Sequence, residues 1–205
     1  MSIYRTHTCN EISLDDVGKH VKVAGFVETI RDFGGLVFLD IRDMYGVTQV
    51  VTSGKSEDVD FASRIPIESS VSVEGTVRKR DPETVNEKIK TGLVEIAIEK
   101  IEILGKRTKD LPFEVNSNQE VREDLRLQYR FLDLRNTKLK DNLMLRAKVL
   151  QYLRSQMIEQ GFLEVQTPVL TSSSPEGARD YLVPSRLHPG KFYALPQAPQ
   201  QFKQL

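Results

Sequence analysis

The sequence predicts a small all-β barrel, then a linker, then the beginning of an α+β domain. Three observations predict it. Five short stretches between residues 20 and 104 alternate apolar and polar residues, with turn residues between them. A polar stretch follows them. One long amphipathic segment then ends at Gly161 and leads into apolar stretches interrupted by proline.

The five alternating stretches are predicted strands, and one short helix is predicted between the third and the fourth. The strands run over His20–Asp32, Leu36–Asp43, Val47–Thr52, Ser69–Arg80 and Gly92–Leu104, and the helix over Glu57–Ile65. The side chains expected inside are Val21, Val23, Val27, Val37, Leu39, Ile41, Val71, Val73, Val77, Val94, Ile96 and Ile98. This order is typical of an OB-fold barrel, although the spacing also fits another small barrel.

The outward positions of these strands carry side chains that suit single-stranded nucleic acid. Phe38 falls on the polar side of the second strand, where it is either a stacking platform or a core residue displaced by a slip in alternation. Arg31 and the basic run 78–80 are either phosphate contacts or solvated surface charges. Gln49 and Glu95 can read base edges or simply face water.

Composition restricts the possible functions. The 29 Lys and Arg residues balance the 29 Asp and Glu residues, so the chain has no general positive field for nucleic acid. One cysteine, Cys9, cannot form an intrachain disulfide. The sequence has neither an apolar run of membrane-spanning length nor the apolar core of a signal peptide at its start, so we expect no membrane association and a cytoplasmic location.

The rest of the chain is predicted as a linker and a long helix. Residues 105–123 are polar, and residues 125–135 alternate cations and apolar residues that could dock onto either module. Asn136 or Thr137 is the expected N-cap of a helix that runs to Gln160, and Gly161 is the expected stop. Its apolar stripe is Leu139, Leu143, Ala147, Leu150, Leu153 and Met157. An edge strand interrupted by Pro168 is expected over Phe162–Gln166 and Pro168–Leu170.

Four segments resemble one family. They are YRFLDLR at 129–135, FLEVQTPVL at 162–170, SPEGARDYLVPSR at 174–186 and GKFYALPQAPQQFKQL at 190–205. Together they resemble the class II aminoacyl-tRNA synthetases, in particular the bacterial aspartyl type within the aspartate, asparagine and lysine subgroup. The resemblance implies an OB-fold anticodon-binding domain at 1–104, a hinge at 105–135 and, at 136–205, the start of an antiparallel-sheet catalytic domain. It also implies a homodimer through the long helix and strand, which match motif 1.

The resemblance implies two sets of site residues. The amino acid would be contacted by Glu176, Gln200 and Lys203. Glu176 would lie on a loop that closes over the bound aspartate. The anticodon would be read by Arg31, Phe38, Gln49, Arg80, Asn86 and Glu95, with the central base on Phe38. Two positions depart from the family. Ala198 stands where serine is usual, and Phe33 stands where leucine or histidine is more common, which leaves open whether asparagine tRNA is also used.

The implied reaction is ATP-dependent activation of aspartate, assisted by Mg²⁺, followed by transfer to tRNA. In the family the catalytic arginines belong to motifs 2 and 3, which this sequence does not reach. We therefore expect neither catalytic nor metal-binding residues here, and the 205-residue chain alone should be inactive. The alternatives are a non-catalytic OB-fold module that binds tRNA and dimerises, a paralogue with altered activity, and a lysyl or asparaginyl relative.

Overall fold

The computed structural model describes residues 3–52, 54, 56–117, 120–173, 179–195 and 200–204. The chain forms two compact units, Met1–Lys140 and Asp141–Leu205. The first contains strands β1 (His20–Asp32), β2 (Val37–Arg42), β3 (Val47–Val51), β4 (Ser70–Lys79) and β5 (Val94–Gly105), and helices α1 (Ser56–Ser63), α2 (Glu123–Gln128) and α3 (Arg130–Asp133). Helix α4 (Thr137–Glu159) begins at its end.

The five strands close into a barrel in the order β1-β2-β3-β5-β4, so the predicted OB-fold is confirmed. Neighbouring strands are antiparallel except β3 and β5, where Val50 pairs with Ile96 in parallel. The predicted strands and the short helix all form, with ends shifted by a few residues at most. All twelve valine, leucine and isoleucine side chains expected inside are buried in one core, which also contains Cys9, Ile12, Val50, Ala62 and Ile65.

Gly75 lets β4 and β5 approach each other closely. A Cβ built on Gly75 would lie 2.0 Å from the carbonyl oxygen of Ala97, far inside contact distance. The pairing of these strands also shifts register between Glu74 and Gly75. Glycine is therefore required here for the barrel to curve and close.

An ion-pair junction fastens the residues after the linker to the barrel. Glu68, before β4, accepts hydrogen bonds from Arg42 at 2.5 Å and from Arg135 at 2.9 Å. The Arg135 guanidinium also lies over the ring of Phe26, 3.8 Å from its centroid. Arg42 pairs in addition with Glu28 at 3.1 Å. Segment 125–135, which the sequence left free to join either module, thus docks on the barrel.

Glu68 makes these contacts from an unusual backbone conformation. Its φ of 64° lies in the left-handed region, which side chains other than glycine rarely occupy. The residue is nevertheless buried, and its amide donates to the carbonyl oxygen of Val27. The ion pairs and this hydrogen bond hold the residue in a conformation that it would not adopt alone.

The second unit contains most of α4, a two-stranded sheet and a short helix. The sheet pairs β6 (Tyr181–Pro184) with β7 (Phe192–Leu195), and α5 spans Gln200–Gln204. Helix α4 starts as expected, because the Asn136 side chain accepts from the Leu139 amide. It stops at Gly161, whose φ is 87°.

One predicted element of this unit is wrong. Residues 162–170 contain no strand, although an edge strand was expected over Phe162–Gln166 and Pro168–Leu170. Pro168 has no N–H to donate, and the pairing starts only at Thr171, which exchanges two backbone hydrogen bonds with Ala194. The side chains of 162–165 are exposed, as are Leu143, Leu150, Leu153 and Met157 on the stripe of α4. None of the described helices is both long and apolar enough to cross a membrane.

Candidate nucleic-acid interface

The outer surface of β2, β3 and β5 brings four of the six predicted anticodon residues together. Asp40 lies opposite Gln49, and Val50 lies opposite Ile96. Since Leu39, Val50 and Ile96 fill the core, their neighbours in sequence must face outward. Phe38, Gln49 and Glu95 therefore share one face, and Arg31 joins them from β1, where it pairs with Phe38.

Phe38 is a surface residue and not a displaced core residue. Its side chain is half-buried, and its ring meets the ring of Phe33 edge-on, with centroids 5.6 Å apart and planes at 85°. Phe33 lies in the turn between β1 and β2 and is 71% exposed. The face of an aromatic ring on a strand surface is a suitable platform for a nucleic-acid base.

A chain of hydrogen bonds crosses this face beside Phe38. Arg31 donates through Nη2 to Asp40 Oδ1 and to Gln49 Oε1, each at 3.0 Å. Gln49 donates through Nε2 to Glu95 Oε2 at 2.7 Å. Arg78 donates through Nε to Glu95 Oε1 at 2.8 Å. Gln49 and Glu95 are both buried under these contacts, at 6% exposure each.

Arg80 lies beneath the same face, and one of its guanidinium nitrogens lacks a hydrogen-bond partner in the part of the chain that the structure describes. It is 3% exposed, its Nε donates to the carbonyl oxygen of Val94 at 3.0 Å, and its Nη1 donates to that of Thr84 at 3.4 Å. Burial lowers the pKa of Arg80, while the charges of Glu95 and Asp40 oppose that shift. Its buried Nη2 has no hydrogen-bond partner among the described residues. A ligand oxygen would satisfy this donor, whose isolation otherwise costs stability.

Asn86 lies on a loop and not on a strand. This loop joins β4 to β5. The Asn86 side-chain Oδ1 accepts from the backbone amide of Lys88 at 3.1 Å, and the backbone amide of Asn86 donates to the carbonyl oxygen of Gly92. These contacts shape the loop. A ligand that reached Asn86 would have to extend from the strand face to this loop.

The predicted amino-acid site is described only in part. Gln200 and Lys203 lie three positions apart on α5, and both are exposed. Glu176 and Ala198 lie outside the described residues. Lys203 borders a cavity of about 790 Å³ whose other walls include Leu150, Leu153, Met157, Phe162 and Phe202. Within the described part of the chain, no group of three or more His, Cys, Asp or Glu side chains could hold a metal ion.

Neither Asp40 nor Thr29 was among the residues predicted for the site, and Arg78 was predicted only as a phosphate contact or a solvated surface charge. Asp40 accepts from Arg31 and, through Oδ2, from the Thr29 hydroxyl. The alternation of β2 already placed Asp40 on the outward side, so its position was available from the pattern. The contact of Arg78 with Glu95 depends on their pairing across β4 and β5, which the sequence does not show.

Comparison with known proteins agrees with both units. Residues 21–104 match the OB-fold nucleic acid binding domain, and residues 122–205 match the class II tRNA synthetases for aspartate, lysine and asparagine. The chain is 53% identical over its whole length to an aspartate–tRNA(Asp/Asn) ligase of Pelagibacter ubique (strain HTCC1062), and 53% identical to one of Rickettsia prowazekii (strain Madrid E). It spans 34% of the length of each relative.

A solved structure shows the same architecture. Asparaginyl-tRNA synthetase from Pyrococcus horikoshii, complexed with asparaginyl-adenylate, superposes with a TM-score of 0.82 at 28% sequence identity. The match covers 98% of this chain and 44% of that one. The similarity therefore extends across the barrel, the linker and the second unit.

Proposed function

Because the chain belongs to the class II tRNA synthetases for aspartate, lysine and asparagine, of which it is an N-terminal part, we propose that it comes from an aspartate–tRNA ligase. The whole protein would activate aspartate with ATP, assisted by Mg²⁺, and transfer it to tRNA. The two relatives named above are ligases for aspartate and both tRNA(Asp) and tRNA(Asn). Their names support the same pair of tRNAs here.

The barrel would supply anticodon recognition. The observation that carries this proposal is the Phe38 ring beside the hydrogen-bonded chain from Arg31 to Gln49 and Glu95. A single-stranded base can stack on the ring while its edge meets these polar groups. Arg80 adds an unsatisfied buried donor for a base or phosphate oxygen. The balanced charge of the chain fits a local site of this kind better than a general electrostatic one.

Residues 136–205 would supply part of the aspartate pocket. Lys203 would pair with the side-chain carboxylate and Gln200 and Glu176 would contact the rest of the amino acid. An ammonium group paired with the carboxylate would separate aspartate from the neutral asparagine side chain, because an unpaired charge in a closed site is costly. ATP and Mg²⁺ would be used by the whole protein.

The domain limits and the assembly complete the proposal. The barrel would occupy 1–104, the hinge 105–135 and the start of the catalytic domain 136–205. Helix α4 and the residues after it would contribute to a homodimer, in keeping with their exposed apolar side chains. The protein would act in the cytoplasm, where its tRNA substrates are.

The test uses the full-length protein and the 205-residue chain side by side. The full-length protein is expected to catalyse aspartate-dependent exchange between pyrophosphate and ATP and to charge both tRNAs. The short chain is expected to give no exchange but to bind the anticodon arm of either tRNA. Activation of lysine or asparagine by the full-length protein would contradict the assignment to aspartate. A chain that does not bind either anticodon arm would contradict the role of the barrel.

A further inference from the structure

The hydrogen-bonded chain on the barrel face fixes the direction in which the Gln49 amide points. Its oxygen accepts from Arg31 and its nitrogen donates to Glu95. If the amide turned over, its N–H₂ group would face the Arg31 donors and its oxygen would face the Glu95 carboxylate. Both contacts would become repulsive, and two charge-assisted hydrogen bonds would be lost.

The two ends of the chain are held by residues without a role in the proposed base contacts. Asp40 accepts from Arg31 at 3.0 Å and is steadied in turn by the Thr29 hydroxyl. Arg78 donates to Glu95 at 2.8 Å, on the carboxylate oxygen that Gln49 does not use. Asp40 therefore holds Arg31 and Arg78 holds Glu95. Arg31 and Glu95 in turn hold the Gln49 amide.

A fixed amide distinguishes the two pyrimidines. The contacts with Arg31 and Glu95 use one lone pair and one N–H of Gln49, which leaves one of each for a ligand. Uracil presents a donor at N3 and an acceptor at O4, whereas cytosine presents an acceptor at N3 and a donor at N4. The two bases have opposite polarity, so an amide that fits one must turn over to fit the other.

We infer that Asp40 and Arg78 are positioning residues that make the barrel face select uracil over cytosine, by fixing the Gln49 amide through Arg31 and Glu95. This inference rests on the proposed anticodon function. The aspartate and asparagine anticodons both have uridine at the centre, so one fixed orientation serves both. Gln49 is diagonal to Phe38 across β2 and β3, within reach of the edge of a base stacked on that ring.

The test measures the binding of the 205-residue chain to two RNA hairpins that represent the tRNA(Asp) anticodon arm. One hairpin has uridine at the centre of the anticodon and the other has cytidine. The wild-type chain should prefer the uridine hairpin by roughly 5- to 150-fold, the discrimination expected of a bidentate contact. Arg78→Ala and Asp40→Ala should reduce that ratio by about fivefold or more.

Conservative substitutions and a neighbouring charge serve as controls. Arg78→Lys and Asp40→Asn retain a donor or an acceptor and should restore most of the ratio. Lys79→Ala removes the same charge at the next, exposed position and should weaken both hairpins alike, leaving the ratio unchanged. Affinities are corrected for the folded fraction from thermal unfolding, so that a purely structural effect does not change the ratio.

The outcomes separate this inference from the proposed function. Equal weakening of both hairpins by Arg78→Ala and Asp40→Ala, with the ratio kept, would overturn the inference alone. A wild-type chain that binds both hairpins equally would also overturn the inference, whereas one that binds neither hairpin would overturn the anticodon role. Hydrogen exchange of the Gln49 side-chain amide in the free chain gives a readout without RNA. It should be slower in the wild-type chain than in Arg78→Ala, and equal rates would count against the inference.

Discussion

Replacing Glu68 at the ion-pair junction tests both of its unusual features, its buried charge and its left-handed backbone. Glu68→Ala removes the carboxylate that Arg42 and Arg135 share and keeps the backbone strain. Glu68→Gly removes the same carboxylate and also relieves the strain, because glycine adopts a φ of 64° readily. The difference between the two variants therefore isolates the backbone contribution.

The expected free energies follow from the contacts. Breaking a buried ion pair costs about 3–5 kcal/mol. Arg42 keeps its contact with Glu28, so Glu68→Ala should lie at the lower end, near 3 kcal/mol. A left-handed residue other than glycine costs about 1–2 kcal/mol. Glycine loses about 0.4–1 kcal/mol more entropy on folding. Glu68→Gly should therefore be more stable than Glu68→Ala by about 1 kcal/mol.

The assay is urea unfolding of the full chain, followed by circular dichroism. Glu99→Ala is the matched control, because Glu99 forms an exposed pair with His20 and its loss should cost about 0–1 kcal/mol. If Glu68→Ala were no more destabilising than this control, the junction would not depend on the buried charge. If Glu68→Gly were no more stable than Glu68→Ala, the left-handed conformation would carry no strain.

Three further predictions concern the barrel. Phe38→Ala should weaken binding of the tRNA(Asp) anticodon arm by about 1–3 kcal/mol per folded molecule, while Phe61→Ala on α1 should not. Lower stability with unchanged affinity would mean that the Phe38 ring supports the barrel and does not contact RNA. Gly75→Ala should lower the free energy of unfolding, measured in urea, by at least about 1–3 kcal/mol, because the new Cβ clashes with the β5 carbonyl. Gly105→Ala should cost much less, because a Cβ built on Gly105 has its nearest neighbouring atom 4.0 Å away. Equal costs would contradict this reasoning. Cys9 should react with a thiol reagent near neutral pH only after unfolding, because burial raises its thiol pKa well above the usual range, and fast labelling of the folded chain would refute this.

Local pattern was enough to predict the barrel. The strands have period-two alternation and turn residues between them, and β1 begins and ends at the residues predicted from the sequence. The outward position of Phe38 followed from the same alternation, although the pattern could not exclude a slip. The pairing of Phe38 with Arg31 on β1 and with Val51 on β3 is what places its side chain on the outer face.

The parts that could not be predicted depend on contacts between distant residues. From the sequence alone, Arg80 was either a phosphate contact or a solvated surface charge. In the fold it is buried, and its guanidinium donates to the carbonyl oxygen of Val94, 14 residues later. Arg78 meets Glu95 only through a β4–β5 pairing that contains two register shifts. The strand expected over 162–170 had suitable apolar residues, but local pattern does not show whether a partner strand is available. The amino-acid site, with Glu176 outside the described residues, stays a prediction.

The parallel contact between β3 and β5 also determines when the face can form during folding. Gln49 and Glu95 are 46 residues apart, and their strands meet only when the last strand closes the barrel. Contacts of such long range form late, because the intervening chain must first lose its freedom. The part of the hydrogen-bonded chain that joins Arg31 to Asp40 and Gln49 lies within β1–β3, so only the contact of Gln49 with Glu95 has to wait for β5. A ribosome-bound chain from which β5 has not yet emerged therefore carries Phe38 but lacks the Glu95 contact that holds the Gln49 amide.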